Sequence, residues 1–175
     1  MGKSIYCIGK NIGDQLVMKV CEDIEKKIPA KRVSIVSIKM VCESSILYAG
    51  RRINSPSEGA ELARGFLENC DREELILICL NNKNEPISVS TISIGSLNAS
   101  IVHPREVFKV AILSNSASVI LAHNHPSGDT TPSSEDVSIT KRLVEAGKII
   151  GIPIIDHIVI GKEFSYCSLK EKGML

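Results

Sequence analysis

Tryptophan is absent, and only three Phe and three Tyr occur in 175 residues. Rings on which single-stranded bases could stack are therefore scarce, and any core must be aliphatic. An excess of one charge is missing too: 21 Lys plus Arg stand against 20 Asp plus Glu, a net of +1, with no like-charge block along the chain. Binding to a nucleic-acid backbone needs a concentrated basic surface that displaces counterions. Arg51-Arg52 and Lys141-Arg142 are too sparse to form one, so charge leaves a nucleic-acid partner possible but unsupported. The six cysteines, at 7, 21, 42, 70, 79 and 167, include no Cys-x-x-Cys pair. That excludes a zinc knuckle and a dithiol redox motif, and the thiols read as buried groups of a reducing compartment. The apolar stretch after Lys3 is broken at Lys10, too early for a signal peptide or a membrane span. The expectation is a cytoplasmic protein with no membrane partner.

What is present is an alternation of helix and strand patterns. Leu16, Val17, Val20, Cys21 and Ile24 recur at helical spacing within 12–27, and Pro29 ends that pattern. From Arg32 to Val41, Val33, Ile35, Ser37 and Lys39 alternate with Ser34, Val36, Ile38 and Met40, which predicts a strand paired with a second one over 46–49. The turn-rich Gly50–Pro56 stretch follows. It divides a small N-terminal helix-plus-strand appendage, 1–52, from a main domain, 53–175. Ala60, Ala63, Phe66, Leu67 and Cys70 predict a helix over 57–70, and Glu74–Leu80 a central strand covered on both faces. Ile87, Val89 and Thr91 alternate before the phase slips to Ile92 and Ile94, the mark of a bulge in an antiparallel partner. His103-Pro104 opens another helix, Ala117–Ala122 is a buried strand, and 123–132 a loop. Val137, Thr140, Leu143, Val144 and Gly147 line the inner face of a helix; Ile154–Ile160 is a last long strand, on which Phe164–Leu169 pairs back. Interleaving of this kind indicates an α/β sandwich, a mixed sheet with helices on both faces.

Two of the four histidines, His123 and His125, stand at the end of the Ala117–Ala122 strand. If strand conformation continues through 125, side chains at i and i+2 point the same way and both imidazoles can meet one ion. Asp136 falls in the first turn of the following helix, where a carboxylate can aim back at the strand end. Two neutral nitrogens and one carboxylate, with the fourth position left for water, is the donor set of a catalytic zinc centre.

The order His-x-His, seven residues, Ser-x-x-Asp, filled here by His123, His125, Ser133 and Asp136, resembles the JAMM motif of the JAB/MPN metalloproteases. With His123-Asn-His-Pro-Ser-Gly-Asp129 go Ser96-Leu-Asn-Ala-Ser100 and Val102-His-Pro-Arg-Glu-Val-Phe108 before it, and Asp156-His-Ile-Val-Ile-Gly161 after it. Together they are similar to the bacterial RadC branch, over about residues 54 to 170. The first fifty residues do not resemble the helix-hairpin-helix region with which full-length members usually begin. The resemblance implies a three-layer, cytidine-deaminase-like α/β fold and zinc-dependent hydrolysis of a peptide or isopeptide bond in a peptide or protein substrate. It also implies a glutamate at the head of the first central strand that takes the proton of the attacking water. Glu73 and Glu74 both stand there, period 2 sends them to opposite faces, and the family register, Arg-Glu-x-Phe, selects Glu73. Ser133 would donate to the oxyanion that develops. A DNA-repair accessory role without hydrolysis is the alternative carried by the RadC label; a nucleoside deaminase would need His-x-Glu and Pro-Cys-x-x-Cys ligands, which are absent.

The same residues have plainer readings. Ser133 and Asp136 could form a helix capping box, with Thr131 before Pro132 a competing N-cap. His103 reads as a capping or turn residue, and His157 beside Asp156 as a hydrogen-bonded core pair; either could instead lie behind the metal ligands. Asp129 could orient the loop or a ligand imidazole.

Overall fold

The computed structural model describes residues 31–95 and 102–175. The helix expected over 12–27, Cys7, Cys21 and the Ser96–Ser100 motif lie outside the described residues. The chain divides into two compact units, Met1–Lys39 and Met40–Leu175. Residues 31–39 of the first form neither helix nor strand and are exposed. Residues 40–48 of the second likewise lack the expected pairing, so both N-terminal strands fail. Alternation gave Val33, Ile35 and Val41 a strand pattern, yet each stands at least 82 % exposed. A strand persists only where a neighbour takes its backbone groups and a surface takes its apolar face, and among the described residues neither is provided along 31–47. At the end of this stretch Tyr48 packs against the cluster under the first helix described below.

From Ser55 onward, element follows element as the patterns require. Helix α1 spans Pro56–Leu67, three residues short of the expected end. Ser55 caps it and Glu58 closes the box: Glu58 N donates to Ser55 Oγ at 3.3 Å, and Ser55 N donates to Glu58 Oε2 at 3.1 Å. Strands β1 (Glu74–Leu80) and β2 (Pro86–Ile94), helix α2 (Pro104–Leu113), strand β3 (Ser118–Asn124), helix α3 (Ser134–Ile150) and strands β4 (Ile154–Ile160) and β5 (Tyr166–Ser168) follow. The five strands form one sheet in the order β2-β1-β3-β4-β5. Only β3 and β4 run parallel, bridged by α3; the other neighbours are antiparallel. The bulge sits where the phase slip placed it: Leu75 pairs with Ser93 and Ile76 with Thr91, leaving Ile92 as the extra residue.

Period 2 sorts the side chains onto two faces. Ile76, Ile78, Leu80, Ile120, Ala122, Ile158 and Ile160 pack under α1. Leu75, Leu77, Cys79, Val119 and Leu121 pack under α2 and α3, with Val107, Phe108, Ile139 and Leu143. Gly147 lies inside α3, where glycine costs about 1 kcal/mol relative to alanine. A Cβ there would come within 2.7 Å of the Ile152 carbonyl oxygen, so the close turn into β4 excludes a side chain. The result is the three-layer α/β architecture. Among the described residues no helix is long and apolar enough to cross a membrane.

Candidate metal centre

The β3 strand supplies two candidate ligands. It runs through Asn124, and His125 N extends the ladder by donating to Ile160 O at 3.3 Å. Strand geometry therefore reaches 125, and both imidazoles leave the sheet on the α2/α3 side. His123 is fully buried, while the His125 side chain keeps 18 % of its surface exposed. Their Nε2 atoms approach to 3.0 Å, and each lies 3.5 Å from Asp136 Oδ2. Glu73 joins them: one ligand atom from each of the four residues lies within 4.8 Å of the others.

Asp136 reaches this point through its helix cap. Ser133 is the N-cap of α3, with its Oγ accepting from Asp136 N at 3.1 Å and Asp136 Oδ2 accepting from Ser133 N at 2.8 Å. Thr131 does not cap. The capping box and the metal-ligand reading are compatible, because the carboxylate oxygen that accepts from Ser133 N also faces both imidazoles. Burial works to raise the Asp136 carboxyl, but the neighbouring His123 imidazole and the Ser133 cap outweigh it. The group is held far below the usual carboxylate range.

The Pro126–Thr131 loop holds His125. Gly128 N donates to His125 O at 2.8 Å, and Gly128 turns with φ +87°, in the left-handed region. The turn brings the Asp129 carbonyl within 2.7 Å of His125 Nδ1. A carbonyl can only accept, so Nδ1 carries the proton and Nε2 of the neutral ring presents a lone pair. Asp129 thus orients the His125 imidazole through its backbone, while its carboxylate accepts from Thr131 N at 2.9 Å and shapes the loop.

Alternation separates the two glutamates. Glu73 faces the imidazoles, while Glu74 turns to the other side, beside Cys70 past the end of α1. There burial, then the Glu74 carboxylate, pushes the Cys70 thiol up. Asn124, between the two histidines, brackets Glu73. Its Nδ2 donates to Arg72 O at 2.9 Å and its Oδ1 accepts from Glu74 N at 2.8 Å, the peptide groups on either side of residue 73. Sequence reading passed over Asn124; its buried polar side chain at the end of an apolar strand was the available signal. His103 is the N-cap of α2, its Nδ1 accepting from Arg105 N. His157 and Asp156 form the expected hydrogen-bonded core pair, through the backbone of His157 rather than its ring. The Asp156 carboxylate takes the backbone N–H of residue 157, while the His157 ring goes to the opposite face and meets His123.

These donors fit a tetrahedral cation. Bonds of about 2.0–2.1 Å space the ligand atoms of such a centre about 3.3 Å apart, and the observed separations of 3.0, 3.5 and 3.5 Å straddle that value. A proton on one nitrogen or a cation between the groups removes the repulsion of a carboxylate oxygen and an imidazole lone pair at this range. The geometry can hold a cation, and Glu73 stands at the edge of the position it would take.

A family model described as the RadC-like JAB domain matches residues 53–174. The chain is 48% identical over 149 residues to a UPF0758 protein of Desulforamulus reducens, covering 79% of this chain and 65% of that one. It is 54% identical over 131 residues to a UPF0758 protein of Geobacillus sp., covering 74% and 58%. With a UPF0758 protein of Alkaliphilus metalliredigens the identity is 56% over 124 residues, covering 71% and 53%. The chain therefore spans between about half and two thirds of the length of these relatives.

Proposed function

This chain belongs to the RadC-like JAB domain family, and from that premise we propose that it is a zinc-dependent hydrolase of peptide or isopeptide bonds. The observation that carries the reading is the cluster of His123, His125, Asp136 and Glu73: three potential ligand atoms at tetrahedral spacing and a second carboxylate beside them. His123, His125 and Asp136 would hold the ion. Zinc there would supply a Lewis acid that makes water acidic near neutral pH and polarises a carbonyl oxygen.

The chain's own groups do the rest. Glu73, held by the Asn124 bracket, takes one proton from the attacking water as oxygen bonds to the carbonyl carbon. It returns that proton to the nitrogen as the C–N bond breaks, so the products are a carboxylic acid and an amine. Ser133 Oγ already accepts from Asp136 N, which leaves its hydroxyl proton to be donated. Directed at the carbonyl oxygen, that donor stabilises the charge developing there. Partial exposure of His125 and Glu73, against full burial of His123 and Asp136, opens one side of the centre to a peptide or protein substrate.

Metal analysis of the purified protein tests the ligand set: about one zinc per chain is expected, and a His123→Ala, His125→Ala double variant that keeps its zinc rejects it. Digestion of a peptide library by zinc-loaded protein tests the chemistry. Cleavage by the parent chain that survives unchanged in Glu73→Gln would remove Glu73 from its role.

A further inference from the structure

Behind the centre, on the side away from solvent, lies a chain of buried polar groups that the proposed chemistry does not use. His123 Nδ1 is 2.8 Å from His157 Nε2, His157 Nδ1 is 2.5 Å from Thr140 Oγ1, and Thr140 Oγ1 donates to Asp136 O at 2.6 Å. His123 and Thr140 are fully buried and His157 is 1 % exposed. Each hydrogen bond constrains the next. A backbone carbonyl only accepts, so the single Thr140 hydroxyl proton is committed to Asp136 O. His157 Nδ1 must therefore be the donor to Thr140 Oγ1. In a neutral, buried ring the other nitrogen is then a lone pair, so His157 Nε2 accepts, and the proton between the two histidines belongs to His123 Nδ1.

We infer that Thr140 and His157 are positioning residues that hold His123 with its proton on Nδ1 and its Nε2 lone pair turned toward the cation position. The inference rests on the metal reading above only for its purpose, not for its hydrogen-bond logic. The chain begins at the carbonyl of Asp136, one ligand, and ends at the imidazole of His123, another. Three elements, α3, β4 and β3, are thereby locked in a single register around the centre. His125, the more exposed ligand, has its tautomer set separately by the Asp129 carbonyl. Thr140 is β-branched and slightly unfavourable inside a helix; its hydroxyl, rather than its fit to α3, accounts for it in an otherwise apolar inner stripe.

The deciding measurement is the imidazole tautomer, read from long-range proton–nitrogen NMR of the metal-free chain at about pH 8–9, where ordinary imidazoles are neutral. His123 is expected to carry its proton on Nδ1, and a proton on Nε2 overturns the inference without any variant being made. Thr140→Val removes the hydroxyl at nearly constant shape, freeing His157 to move its proton to Nε2 and push that of His123 to the metal side. Zinc affinity by chelator competition should then fall about 10–100-fold, while Thr140→Ser, which keeps the hydroxyl, should retain both tautomer and affinity. A folded Thr140→Val chain with unchanged tautomer and affinity also overturns it. Should the parent chain bind no zinc, the metal reading fails, and the tautomer measurement still decides this one.

Discussion

Each face of the sheet buries one aspartate, and the two are held in opposite ways. Asp156, on β4, points to the α1 side, where its Oδ2 accepts from Ser168 Oγ at 2.7 Å and its Oδ1 from the backbone N–H groups of His157 and Lys170. Burial raises its carboxyl, and those three donors do not offset it. Asp136, on the other face, meets two imidazole nitrogens as well as its cap, and its carboxyl is driven down. Neutral donors satisfy a carboxylate's lone pairs; groups that bear or attract positive charge make it part of a cation site. Burial alone does not distinguish them, since Asp156 is 4 % and Asp136 1 % exposed. The difference lies in what surrounds each oxygen.

The sharpest break in the comparison is between neighbours in sequence that fall on different faces. Glu73→Gln should lower turnover by about 10²–10⁴-fold, the usual range for loss of a general base or acid, with zinc content unchanged. Glu74→Gln, directed to the α1 side by Cys70, should leave turnover within a few-fold. The reverse result would mean that β1 is out of register by one residue near its head.

Next in size is a core change that should separate stability from metal binding. Ile158 is fully buried under α1, and a Cβ added to Gly59 would stand only 2.9 Å from its Cδ1. Truncation to alanine leaves a cavity between tightly fitted elements and should cost about 2–5 kcal/mol. Denaturant unfolding should show that loss, and zinc affinity of the folded fraction should be unchanged. A parallel loss of affinity would mean the faces are mechanically coupled.

A smaller effect of mixed origin is expected at Ser133, where structure and proposed chemistry share one hydroxyl. Ser133→Ala should cost about 1 kcal/mol of stability as a lost N-cap, and about 10²–10³-fold in turnover if the proton is donated to an oxyanion. Ser133→Gly separates the two, since glycine caps nearly as well as serine but donates nothing from a side chain. Equal turnover in the Ser133→Gly variant and the parent protein would leave Ser133 with the capping role alone.

Much of this was legible because it is local. The His-x-His spacing, the phase slip at Ile92 and the Ser-x-x-Asp spacing are statements about neighbours on one element, and period 2 or one helical turn converts them into geometry. The 32–41 strand and its expected partner over 46–49 were misread because alternation records a pattern of side chains and not whether the backbones pair. Thr140, Asn124 and the ring contact of His157 with His123 were passed over for a related reason. Thr140 stands in an apolar stripe that reads as core. His157 does bond the aspartate beside it through its backbone, but consecutive strand residues point to opposite faces, which sends its ring to His123. Asn124 works by reaching across to β1, fifty residues away in sequence. Such contacts come from sheet order, which composition and spacing do not encode.

The smallest expected effect tests the aspartate comparison itself, through pH. Because Asp156 has a raised carboxyl in the folded chain, the unfolded chain gives up that proton first. Its contribution to stability is complete below the unfolded value of about 3.9 and is lost as pH rises through the raised folded value. Asp136 runs the other way, contributing above about 3.9 and losing that contribution as pH falls through its depressed value. Asp156→Asn keeps an oxygen for the two backbone donors and can give its amide proton to Ser168 Oγ, so the fold should survive. The variant should be at least as stable as the parent near pH 7, by less than about 1.5 kcal/mol, and should lack the decline between pH 4 and neutrality. Thermal unfolding across that range measures both. A variant markedly less stable at pH 7 would show that the ionised carboxylate is required on the α1 face as well, and the contrast between the two aspartates would collapse.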